Sequence, residues 1–157
     1  MARKSSEKFF WHRALLAVLA CVALLSVAPL ASADEIVKLK AELAGANEVP
    51  PSGSPGTGHA DVTYDKTTRT LTWTITYSGL ESQVIMVHFH GPASPSDHTA
   101  PIQIWIASGT GVQSPLHNGT LIAPYQEQDL LSGRWFIRIH TTKYPQGALR
   151  GQLTVVP

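Results

Sequence analysis

Two histidines one residue apart, in Val87-His88-Phe89-His90-Gly91, are the first residues in this chain whose type and spacing point to chemistry. In an extended strand, side chains alternate between faces, so His88 and His90 lie on one side, about 6.6 Å apart at Cα for a rise of roughly 3.3 Å per residue. Imidazoles at that spacing can converge on one ion about 2.0 Å from each ring nitrogen; the alternative is that both rings hydrogen-bond to loop backbone where the strand meets Gly91. In Arg134-Trp135-Phe136-Ile137-Arg138-Ile139-His140-Thr141, period two groups Phe136, Arg138 and His140 on one face and Trp135, Ile137 and Ile139 on the other. His140 is thus a third candidate ligand, facing away from the densest apolar side. His59, at another strand start, is a fourth, and His98 and His117 fall in segments that read as solvated loops. Nitrogen ligation without thiolates suits copper(II) or zinc rather than calcium.

Arg150 lies in the segment Gly147–Gly151, which reads as a tight hairpin. Its five fixed donors fit either a structural clamp on backbone carbonyls or an anion site beside the histidines. Asn47 and Glu48, ahead of Pro50-Pro51, fit local turn hydrogen bonds or a ligand supplied from a loop. No G-x-S-x-G, G-x-G-x-x-G or Walker sequence occurs, and the acids are scattered, so nothing supports acyl transfer, nucleotide binding or glycoside hydrolysis. An enzymatic role is the less favoured one.

These residues must be held by β-structure, because no helical period persists over ten residues. The clearest strand is Arg69–Ser78, where Leu71, Trp73, Ile75 and Tyr77 alternate with four threonines. Further strands are expected at Ile36–Ala44, Gly58–Tyr64, Gln83–His90, Ile102–Ala107, Gly119–Ala123, Arg134–Thr141 and Ala148–Val156, about eight in all, which suits a sandwich or Greek-key barrel. Residues 49–58 and 91–101 read as long connections and Glu127–Ser132 as one helical turn. Trp73, Trp105 and Trp135 fall in apolar strands and are expected in the core.

Hydrophobic residues make up 43% and charged residues 15% of the 157, which excludes a disordered chain and allows one domain. Arg3, Lys4, Lys8 and Arg13 precede an apolar run, Ala14–Val27, and Ala31-Ser32-Ala33, the pattern of a secretory signal peptide cleaved after Ala33. The run is short for a membrane span, so no span is expected once the leader is gone, and the expected location is secreted or periplasmic. Val18-Leu19-Ala20-Cys21 loosely resembles a lipoprotein cleavage box, but cutting there would leave apolar residues 22–30 on the product. With four of the twelve cations and one of the eleven acids in the leader, residues 34–157 carry eight basic and ten acidic side chains. A slightly acidic domain without a basic stripe argues against nucleic acid. The chain's only cysteine, Cys21, is in the expected leader, which leaves the domain no disulfide and no thiolate ligand.

Leu43-Ala44-Gly45-Ala46-Asn47-Glu48-Val49-Pro50-Pro51, Val87-His88-Phe89-His90-Gly91-Pro92-Ala93 and Ile139-His140-Thr141 followed by Pro145-Gln146-Gly147-Ala148-Leu149-Arg150-Gly151-Gln152-Leu153 resemble, in order and spacing, the CHRD (chordin) domain family. The resemblance spans residues 36–156, so 34–157 is taken as one CHRD domain behind the leader. It implies a secreted β-sandwich, immunoglobulin-like or Cu/Zn-superoxide-dismutase-like, of a kind found in bacterial exported proteins and in chordin, which binds bone morphogenetic proteins. The His-x-His strand is also similar to the copper strand of Cu/Zn superoxide dismutases, with His140 and Arg150 as plausible counterparts of a further ligand and the anion-guiding arginine. The dense zinc loop and the cysteine pair of those enzymes are missing here.

Two readings result. The first is a secreted binding or structural module that meets an envelope or extracellular partner, with structural histidines. The alternative is a mononuclear metal protein, copper or zinc with copper favoured, on His88, His90 and His140, with a storage, sensing, redox or superoxide-related role.

Overall fold

The computed structural model describes residues 35–157; the expected leader and Cys21 lie outside them. Nine strands follow in order: β1 (Ile36–Ala44), β2 (Thr57–Asp65), β3 (Thr70–Ser78), β4 (Val84–His90), β5 (Ile102–Ser108), β6 (Leu116–Leu121), β7 (Phe136–Thr141), β8 (Leu149–Gln152) and β9 (Thr154–Val155), with one helix, α1 (Pro124–Leu131), between β6 and β7. The protein is all-β as expected. The strand expected over Ala148–Val156 is split into β8 and β9, because Leu153 turns inward, buried, and donates its N–H to the Trp135 carbonyl at 2.8 Å. The helical turn expected at Glu127 starts earlier, at Pro124, where proline needs no N–H partner. Gln126 Oε1 accepts the Ala123 N–H at 2.8 Å and fixes that start.

The hydrogen-bonded order is β5-β4-β7-β8-β1-β2-β3-β6, with β9 alongside β1, and every recorded pairing is antiparallel. All nine strands therefore belong to one sheet. Its seam is narrow, with β1 meeting β8 at Ala44 and Arg150 and meeting β9 at Leu39 and Lys40. The sheet curls so that Trp73 of β3 and Phe89 of β4, with four strands between them in the ladder, touch edge to face at 5.2 Å between centroids.

Alternation explains which side chains fill the interior. Leu39, Ala41 and Leu43 of β1, Ala60, Val62 and Tyr64 of β2, and Leu71, Trp73 and Ile75 of β3 pack with Val87 and Phe89 of β4, Ile137 and Ile139 of β7 and Leu149 of β8. Helix α1 contributes the buried Leu130. Between β2 and β3 the Asp65 carboxylate accepts the N–H groups of Thr67 and Thr68 at 2.8 and 3.0 Å, and Arg69 takes a positive φ of 58° to close the turn. Among the described residues no helix is long and apolar enough to cross a membrane.

Trp105 corrects an expectation. It is 59% exposed rather than in the core, because β5 is a sheet edge and Trp105 stands opposite His88, on the face turned away from Val87 and Phe89.

Candidate metal centre

The strands β4, β7 and β8 have a second face, and it too is buried. If Val87, Phe89, Ile137, Ile139 and Leu149 face the apolar core, period two sends His88, His90, Phe136, Arg138, His140, Arg150 and Gln152 the other way. Register then makes neighbours of them: His88 stands opposite Arg138, His90 opposite Phe136, Arg138 opposite Arg150 and Phe136 opposite Gln152. Three connections contribute partners to this face. They are residues 45–56 after β1, 91–101 after β4 and 142–148 between β7 and β8.

The cations on that face are tied down. Arg138 and Glu48, 6% and 5% exposed at the side chain, form a two-pronged pair with Nε to Oε1 at 3.1 Å and Nη2 to Oε2 at 2.6 Å. Arg138 Nη2 also donates to the His98 carbonyl at 2.9 Å. Gly147 abuts this pair at φ 144°, where a β-carbon would collide with the Glu48 carboxylate, so the turn requires glycine there. Arg150, 1% exposed, donates to the carbonyls of Asp97 and Ser94 and lies over the Phe136 ring at 3.9 Å. Its geometry is that of a clamp on the 91–101 connection. Asn47 donates to the carbonyl of nearby Glu42 and also to that of Arg150, which ties the turn after β1 to β8. The hairpin expected at Gly147–Gly151 is instead β7–β8, with its loop over 142–148 and Gly151 inside β8.

The three histidines differ from these satisfied groups. His88, His90 and His140 are all buried, and one ring nitrogen of each lies within 4.8 Å of the others. His90 Nδ1 bonds the Ala100 carbonyl at 2.9 Å and His140 Nδ1 the Pro145 carbonyl at 3.0 Å. A carbonyl only accepts, so these contacts place the proton on Nδ1 and leave a lone pair on each Nε2. Those Nε2 atoms, and both nitrogens of His88, are buried with no hydrogen-bond partner. Burial pushes the His88 and His90 rings down to about 4, with help for His88 from His140 and His90, and it lowers His140 as well. All three are neutral at pH 7, with lone pairs available.

Unpartnered buried nitrogens are costly, and an ion would satisfy one on each ring. Three nitrogens about 2.1 Å from one ion stand about 3.5 Å apart, so a closure of about an ångström would bring these rings to bonding distance of an ion. Carbonyl bonds at Nδ1 are of the kind that would orient an imidazole towards a metal. Trp105 covers His88, with ring centroids 4.1 Å apart and an interplanar angle of 82°.

His59 is not brought to this group. It bridges Glu42 Oε1 at 2.8 Å and Asp61 Oδ1 at 3.1 Å on the outer side of β1 and β2, and those carboxylates, Asp61 first, raise its pKa. His117 lies on β6 instead of in a loop and bonds Thr74 Oγ1 at 3.0 Å. His98 is exposed. The Glu48–Arg138 pair escaped the sequence reading because its partners lie 90 residues apart; an isolated acid in a Pro-rich loop was its only signal.

No curated protein and no solved structure matches this chain. The CHRD domain model, in contrast, matches residues 39–153, a span that takes in all three histidines, Glu48, Arg138 and Arg150. The match covers most of the chain and agrees with the motifs around Asn47, His88 and Arg150; the chain belongs to the CHRD domain family.

Proposed function

We propose that this CHRD domain holds a single transition-metal ion, of the copper or zinc class, on His88, His90 and His140. The observation that carries this reading is three buried imidazoles with ring nitrogens within 4.8 Å of one another, each ring keeping an unpartnered nitrogen while Nδ1 of His90 and of His140 is pinned by a carbonyl. A structural role for the rings leaves those lone pairs unexplained. Burial of the donors favours holding an ion over turning over a diffusing substrate, so storage, sensing or structural use is preferred to superoxide chemistry. We read residues 1–33 as a cleaved leader and the domain as an exported module of the envelope or extracellular space. The curled sheet is read as a variant of the immunoglobulin-like or superoxide-dismutase-like Greek-key sandwich. An extracellular partner is compatible with the same domain, since edge strand β5 exposes Ile102 and Trp105.

Trp105 supplies the test. Copper(II) quenches indole emission at short range, so titrating metal-free protein with copper(II) is expected to quench fluorescence up to one equivalent. Trp105→Phe is expected to remove most of that change, because the other described tryptophans, Trp73 and Trp135, are buried core residues. Quenching that never saturates, or that is the same in the variant, contradicts the reading.

A further inference from the structure

The three imidazoles leave the ion short of a donor, and the fold places one more beside them. Met86 is two residues before His88 on β4, and from Met86 to His90 the β4–β7 register is regular, the bulge lying between Val84 and Met86. Met86 therefore shares the face of His88 and His90, opposite to Val87 and Phe89. It is also the direct cross-strand partner of His140. Side chains so paired have β-carbons about 4.5–5.5 Å apart, and methionine is the flexible, polarisable side chain able to span such a gap. Met86 is half-buried, and it is the only sulfur-bearing residue in the chain after Cys21.

Charge points the same way. Imidazole binds an ion as a neutral donor, and among the described residues no carboxylate joins the group of His88, His90 and His140. Arg138 stands opposite His88 and Arg150 opposite Arg138. Among the described residues Glu48 is the one carboxylate in an ion pair with either guanidinium, since Arg150 is held by the carbonyls of Asp97 and Ser94 and by Gln152. A site with neutral donors and a surplus of positive charge disfavours a divalent ion relative to a monovalent one, and a thioether selects the soft copper(I) ion.

Building on the three-histidine reading above, we propose that Met86 supplies a fourth, thioether ligand and that the set His88, His90, His140 and Met86 is built to hold copper(I). The test is competition for copper(I) against a chromophoric chelator, without oxygen and with ascorbate, run beside zinc(II) competition on the purified protein. Met86→Leu keeps the volume and removes the sulfur; Met86→Gln keeps the length, and metal-free thermal unfolding checks that both variants are folded. The expected result is a copper(I) affinity lower by roughly tenfold or more in both variants, with zinc(II) affinity nearly unchanged. X-ray absorption on the copper(I) protein should show one sulfur neighbour that vanishes in Met86→Leu. Unchanged copper(I) affinity, no sulfur neighbour, or an equal loss of both metals overturns the proposal and leaves the three-histidine site standing. A parent protein that binds neither ion, or a His88→Ala/His140→Ala variant that binds both as well as the parent, overturns the underlying reading.

Discussion

Glu48→Ala is expected to lower the free energy of unfolding by about 3–5 kcal/mol, the cost of stranding one partner of a buried ion pair. The carboxylate is 5% exposed, takes both prongs of Arg138 and faces the turn at Gly147, so water has little room to replace it. The guanidinium left behind would retain the His98 carbonyl as its acceptor. Removing both charges together, as in Glu48→Ala/Arg138→Met, is expected to cost less than Glu48→Ala alone, because no uncompensated ion remains. Urea unfolding of the three proteins measures this. A loss no larger than that for exposed Glu42→Ala would show that the pair is not buried in solution. The variant should also bind metal more weakly, since positive charge beside His88 and His90 then goes unopposed.

Metal-free protein is expected to lose several kcal/mol of stability on acidification from pH 7 to 4. His88 and His90 titrate at about 4 when folded, against an ordinary value of 6.5. Between those values the unfolded chain binds protons that the folded chain refuses, so stability falls as pH falls through the window. Each group contributes up to about 3 kcal/mol at 1.36 kcal/mol per unit. His59 has the opposite sign, its raised pKa adding stability below pH 6.5 that is lost as pH rises, but its ring is partly exposed and the contribution is small. Urea midpoints at pH 7, 6, 5 and 4.5, after chelation, should decline steeply, and the decline should be shallower in His88→Gln. A flat profile would mean that these rings are solvated rather than buried.

Much of the fold was legible because strand alternation is a local signal. The boundaries Ile36–Ala44 agree at both ends, and the common face of His88 and His90 needs only period two. Period two also separated His140 from the core. What no single sequence carries is register, since one residue of slip reverses every face, and it is register that sets His88 opposite Arg138 and Met86 opposite His140. His59 has the same residue type and a strand position but lies on an outer face with Asp61 of its own strand β2 and Glu42 opposite it on β1, which take both its nitrogens. Trp105 read as core because apolar strand residues usually are; only the strand order shows β5 to be an edge.

The central claim is that three imidazoles hold one ion. Its most direct test is elemental analysis by mass spectrometry of protein purified without a His tag or chelators, before and after incubation with copper or zinc, for the parent and for His88→Ala/His90→Ala. About one ion per chain is expected in the parent and almost none in the variant, with the same β-sheet circular dichroism in both. Equal metal content in the two proteins, or a parent that takes up no metal, would contradict it.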